Sequence, residues 1–215
     1  MERVRKMMPL DEIQLELVPR YNISPTQLAP VIIQQGKTVL KAMRWGLIPF
    51  WAKDESIGSQ MINARSETVR DKPAFRRSFK RRRCLVLADS FYEWQKIPGN
   101  TRKQPMRILL KDESPFVFAG LWDTWKKTDG AELETFTIIT CAANELMRPI
   151  HHRMPVLVKP ERYEMWLNPK NEDIDELSKI LLPYPDAEMT THPVSTLVNN
   201  PKFDDPRCIE PVTAM

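Results

Sequence analysis

Short apolar runs recur along the whole chain, and several are joined by segments too short to hold anything but a turn. The runs cover 31–34, 39–46, 84–88, 91–96, 105–111, 116–122, 134–140 and 155–158. Their β-branched and aromatic residues suit a pleated surface. "IPGN" follows residue 96, "KDES" follows 110 and "KTDG" follows 126, and connections of this length favour antiparallel neighbours. Helical patterns are fewer. "KPAFRRSF" opens with a proline suited to a first helical turn, "AANELMRPI" is short, and "KPERYEMWL" and "EDIDELSKILL" carry apolar residues at spacings of three and four. Many strands, scattered helices and no regular βαβ alternation predict an α+β fold built on a curved, largely antiparallel β-sheet with peripheral helices.

With 215 residues, 42% hydrophobic and 28% charged, the chain suffices for one sizeable core and predicts one domain over 1–215. It has no run of about 18 or more apolar residues and no basic, apolar, small-residue leader. The expectation is a cytoplasmic protein. Cys84, Cys141 and Cys208 lie far apart without metal-ligand spacing, so neither a zinc site nor a disulfide framework is expected. Cys84 and Cys141 sit in strand-like runs and read as small buried hydrophobes. The net charge is only +4, but "AFRRSFKRRRC" carries six basic residues between Arg76 and Arg83 with no acid among them. Such a cluster either attracts phosphates or is a solvated helix end.

Four stretches hold polar residues in unusual surroundings. "PRYNISPTQ" sets Asn22 in a proline-flanked loop, and "MRWGLIPFWAKD" gathers Trp45, Phe50 and Trp51 around a bend at Pro49. "INARSET" offers Asn63 and Arg65, while "PIHHRMP" supplies two of the three histidines, His151 and His152. A fifth stretch, "LADSFYEW", embeds Glu93 between Tyr92 and Trp94. Strand alternation puts Phe91 and Glu93 on one face and Tyr92 and Trp94 on the other. Glu93 is then either solvated or held in a polar pocket beside aromatic rings. Each of the other residues also has a plain reading: the asparagines as turn residues, the tryptophans as core, the histidines as satisfied structural groups. Spacing alone reaches a basic, aromatic-bearing α+β domain with an Asn/Glu/His site.

Taken in order, "RYNISPTQ", "RWGLIPFWAKD", "INARSET", "KPAFR", "RRCLVLADSFYEW", "KQPMRI", "FAGLW", "ETFTIIT", "PIHHRMPV" and "HPVS" resemble the SOS-response-associated peptidase (SRAP) family, from about Pro19 onward. The resemblance implies a barrel-like SRAP domain with a basic groove for single-stranded DNA and no metal or organic cofactor. Members shield abasic sites: an N-terminal cysteine captures the ring-opened aldehyde, its α-amine forming a Schiff base and its thiol closing a thiazolidine. By that resemblance Glu93 exchanges protons near the nascent imine, His151 assists sugar-ring opening, and Asn63 orients the reacting end. Asn22 and Arg65 would grip the DNA backbone, Trp51 and Trp94 would line the path or stack on bases, and Thr140 would help to place His151. Arg44 and the cluster from Arg76 to Arg83 would add general electrostatic attraction. A monomer acting near the nucleoid is expected.

The family opening, Met-Cys-Gly-Arg-Phe, has no counterpart here, because Glu2 stands where the cysteine belongs. Two explanations remain open: a start placed at an internal methionine of a longer protein, or a short polypeptide that binds DNA without the thiazolidine. Three functions follow: covalent abasic-site processing in the complete form, a peptidase acting on its own N-terminal segment, and a non-covalent single-strand binding module.

Overall fold

The computed structural model describes residues 2–99 and 101–214, so Met1 and Asn100 of the "IPGN" turn lie outside the described residues. The strands are β1 (Glu12–Ile13), β2 (Leu28–Gln35), β3 (Lys37–Trp45), β4 (Asn63–Arg65), β5 (Arg83–Ala88), β6 (Ser90–Lys96), β7 (Lys103–Leu110), β8 (Phe116–Lys126), β9 (Glu132–Ala142), β10 (Arg153–Pro155), β11 (Leu157–Val158) and β12 (Met189–Pro193). Four short helices accompany them: α1 (Glu2–Met7), α2 (Arg76–Arg81), α3 (Tyr163–Leu167) and α4 (Ile174–Ser178).

The pairing order β3-β2-β5-β8-β9 closes on itself through a β3–β9 contact, which makes a five-stranded barrel. Its ladders are antiparallel, as expected, except for the seam, where Arg44 and Trp45 pair in parallel with Thr135 and Phe136. Closure removes the open edges of the sheet. Past the seam, β9 goes on to pair with β4, in parallel, and with β10. Val31, Ile32, Leu40, Leu85, Ala119, Leu121, Phe136 and Ile139 are buried in the core, and Trp166 of α3 packs edge-on to Phe79 of α2 at its side.

A second, three-stranded sheet has the order β12-β7-β6. Only Asp89 separates β5 of the barrel from β6, so the chain passes from one sheet into the other at that residue. "IPGN" and "KTDG" join antiparallel partners as expected, but "KDES" connects β7 to a strand of the other sheet. That expectation fails because the segment returns the chain to the barrel instead of turning it back on itself. "AANELMRPI" forms overlapping turns and no regular helix. Its Asn144 side chain accepts from the Met147 amide at 3.0 Å, a local bond that competes with helical pairing.

Residues 194–211 cross the face of the second sheet as a strap. A small core of Val194, Val198 and Cys208, with Tyr21, Tyr92 and Trp94 against it, lies beneath and is separate from the main cluster. Among the described residues no helix is long and apolar enough to cross a membrane.

Candidate active site and nucleic-acid cleft

A cleft of about 1210 Å³ opens where the barrel mouth, the second sheet and the strap meet. Its lining includes Asn63, Arg65, Glu93, Trp94, Thr140, His151, His152 and Arg153. Asn63 and Arg65 come from β4, a strand of three residues with Ala64 buried between two exposed positions. Alternation therefore sends both side chains to the open face, and neither makes a hydrogen bond or ion pair among the described residues. The pairing of Arg65 with Thr140 sets them at the cleft end of β9.

Glu93 reaches the same place from β6. Its Oε1 lies 3.7 Å from Nδ1 of His151. Burial pushes the Glu93 carboxyl above the usual carboxylate range, opposed by the charge of His151 and by the Trp94 amide. The His151 ring is oriented by its own segment, with Nδ1 at 3.1 Å from the Arg153 carbonyl and 3.2 Å from the Arg153 amide. The Arg153 guanidinium is in turn tied to both oxygens of Glu67, at 2.6 and 3.0 Å, and to the carbonyl and hydroxyl of Thr140. The Arg153 guanidinium holds the Glu67 carboxyl below its ordinary range. Thr140 is buried and bears on His151 through Arg153. Arg153 and Glu67 were not singled out in the sequence, although both lie inside motifs that were, "PIHHRMP" and "INARSET".

The structure brings Asn22, Asn63, Arg65, Glu93, Trp94, Thr140 and His151 together in the cleft lining and leaves Arg44 and Trp51 outside it. Asn22 is buried, and its side-chain nitrogen donates to the carbonyls of Val198, Asn200 and Phe203. This makes it a tie for the strap within the cleft wall. Arg44 is outside the lining and pairs with Glu55 at 3.3 Å. Trp51 is half exposed but also outside the lining. The chain leaves β3 at Gly46, whose φ of +121° and contact with Gly58 exclude a side chain: a Cβ there would lie 2.5 Å from the Gly58 carbonyl oxygen. It then follows the other end of the barrel, Ile48 bonding to Thr135 and Phe50 to Asp123. Thr135 is five residues before Thr140 on β9, or roughly 17 Å away at strand rise.

The basic cluster is also largely structural. Arg83 is buried, its guanidinium donating to the carbonyls of Phe79, Lys80, Trp166, Asn168 and Asn171, and burial lowers it to about 10. Arg82 pairs with Asp123, Arg81 with Glu172, and Arg77 lies over the Phe50 ring at 4.0 Å. Trp94 stays at the cleft, with Nε1 fixed by Asn199 Oδ1 at 2.7 Å. No cluster of three or more metal-ligating side chains is found among the described residues.

The family model described as SOS response associated peptidase (SRAP) matches residues 1–201. The chain belongs to the SRAP family. Its relatives include the abasic site processing protein YoqW of Bacillus subtilis (strain 168), 50% identical over 196 residues that cover 91% of this chain and 87% of the relative. The abasic site processing protein HMCES of Xenopus tropicalis is 34% identical over 223 residues, covering 89% and 65%. Among solved structures, a protein from Bacteroides thetaiotaomicron superposes with a TM-score of 0.79 at 32% identity, covering 87% of this chain and 82% of that one. SRAP membership accounts for the barrel and for the order of the motifs that build the cleft.

Proposed function

We propose that this SRAP chain processes abasic sites in single-stranded DNA within the cleft. The observation that carries the reading is the meeting of two unlike sets of groups: Asn63 and Arg65, exposed and without partners among the described residues, beside the Glu93–His151 pair. Arg65 takes a backbone phosphate. Asn63 hydrogen-bonds the ring-opened sugar and holds its aldehyde in place. His151 moves a proton as the sugar ring opens, and Glu93, half-buried and with a raised affinity for its proton, donates and accepts it at the reacting carbon. Trp94 offers a flat face to a neighbouring base.

Covalent capture of the kind the family resemblance implies would use an N-terminal cysteine as the nucleophile. Its amine condenses with the aldehyde, water leaves, and the thiol adds to the imine carbon to close the ring. The cysteines of the present sequence do not fill that role: Cys84, Cys141 and Cys208 are all buried, and none lines the cleft. That burial favours a second reading for these 215 residues, recognition of the lesion without a stable link.

Denaturing gels with single-stranded DNA carrying one abasic site test both, using this chain beside a version extended upstream to a Met-Cys start. A heat-stable band with the extended version alone is the expected result. No adduct from either version would overturn the covalent mechanism, and an equal adduct from the shorter one would require a different nucleophile.

A further inference from the structure

We propose that Glu67 is a positioning residue for His151: through the Arg153 side chain it steadies the backbone amide and carbonyl that partner the imidazole whether or not its Nδ1 carries a proton. The inference rests on the role given to His151 above and deepens it. Glu67 is exposed and lies outside the lining of the cleft, so it acts through other groups. Its carboxylate takes the Arg153 guanidinium in a two-pronged pair, Nη1 to Oε1 at 2.6 Å and Nη2 to Oε2 at 3.0 Å, a geometry that fixes the planar fork in direction as well as distance. Nη2 also donates to the Thr140 carbonyl at 2.5 Å, and the same oxygen accepts from the Ser66 amide at 2.8 Å. The pair therefore cross-links the two segments that carry the site, "INARSET" with Asn63 and Arg65 and "PIHHRMP" with His151, both of which are already pinned to β9. The bond from Arg153 holds the Glu67 carboxyl below its ordinary range, so the clamp stays charged at neutral pH.

What the clamp steadies is a residue whose backbone meets one nitrogen of His151 with both an acceptor and a donor. Nδ1 is 3.1 Å from the Arg153 carbonyl and 3.2 Å from the Arg153 amide. A protonated Nδ1 donates to the carbonyl, and a bare one accepts from the amide. Glu93 stands 3.7 Å from the same nitrogen, and the His152 ring lies against the imidazole with 4.4 Å between centroids. The ring can thus gain or lose a proton at Nδ1 without turning, provided that the Arg153 backbone is held still. A group that moves a proton as a sugar ring opens needs that property, because an imidazole that swung between its two states would lose its aim at the substrate.

The test reads the ring itself, in this chain and without DNA. Long-range proton–nitrogen correlation spectra of the isotope-labelled protein report the tautomer and hydrogen bonding of each histidine. Glu67→Gln, which keeps the shape and removes the charge, is expected to move the His151 ring nitrogens toward the values of free histidine. Unmoved signals of His192, on β12, and an unchanged melting temperature report that the fold is intact. In the version extended upstream to a Met-Cys start, the same substitution should slow single-turnover processing of an abasic single strand by about ten- to a hundredfold, with the Kd for a tetrahydrofuran abasic analogue within about twofold of the parent. Glu67→Asp, which keeps the charge, should restore most of the rate. Unchanged His151 signals in Glu67→Gln, or a loss of binding as large as the loss of rate, overturn the role of Glu67. Altered signals beside an extended parent that processes no abasic site leave the clamp standing and overturn the DNA reading.

Discussion

Four consecutive residues of β6 show how alternation divides labour. Phe91 meets Phe118 edge-to-face, Tyr92 donates from its hydroxyl to the Tyr21 carbonyl, Glu93 turns to His151, and Trp94 bonds to Asn199. The two aromatics of one parity brace the strap, and the other parity supplies core packing and the acid. This much was legible, because a strand has a period of two. The choice between solvated acid and pocket acid was not, since it depends on a histidine 58 positions later. Burial holds the Glu93 carboxyl above its unfolded value, so its contribution to stability is fully present below the unfolded pKa and is lost as pH rises through the folded one. At neutral pH the ionised group is therefore a burden on the fold. Glu93→Gln should melt a few degrees higher than the parent at neutral pH, with the gain vanishing below about pH 4, while abasic-site processing falls by about 10²–10⁴-fold. Melting curves and single-turnover rates across pH check the two halves separately. Equal melting temperatures at every pH would remove the idea that Glu93 is held at a cost.

At the scale of elements, the strap is anchored chiefly by one carboxylate. Asp204 accepts from the Tyr21 and Asn22 amides and pairs with Arg20, and Asn22 then ties down three strap carbonyls. Burial raises the Asp204 carboxyl, but the Tyr21 amide, Arg20 and the Asn22 amide together outweigh it and leave it below the ordinary range. Its stabilising contribution is present above the unfolded value of about 3.9 and is lost as pH falls through the lower folded one. Asp204→Asn removes the charge and should cost about 1–3 kcal/mol. Limited proteolysis should then cut within 195–209 much faster than in the parent, with the barrel remaining resistant. Uniform digestion of the variant would show that the clasp serves the whole fold. None of this was visible in "RYNISPTQ", where Asn22 looked like a residue for a ligand; its partner Asp204 is 182 positions away and stands in a stretch with no periodic pattern. The reading of "AANELMRPI" (142–150) as a short helix failed for a local reason, the Asn144 side chain caps its own turn.

For the molecule as a whole, strand positions and the antiparallel rule were readable, and closure was not. The seam joins Trp45 to Phe136, a parallel contact between strands that share no turn, and β4 is too short to announce itself by pattern. These non-local pairings also decide which tryptophan meets the cleft, Trp94 at the mouth and Trp51 near the other end of β9. The division into a barrel core and a strap core has a further result for the thiols. Cys84 lies under Gly120, where even a methyl group would come within 2.8 Å of its sulfur, and Cys141 is on β9, while Cys208 belongs to the strap. A thiol-modifying reagent in large excess reaches each sulfur only when its surroundings open. Cys208 should react first, at a rate that Asp204→Asn accelerates, with Cys84 and Cys141 reacting later and together; simultaneous reaction of all three, followed by mass spectrometry, would mean one cooperative unit. The cysteines thus act as two clocks in one polypeptide, one timing the exposure of the cleft wall and the other the survival of the barrel.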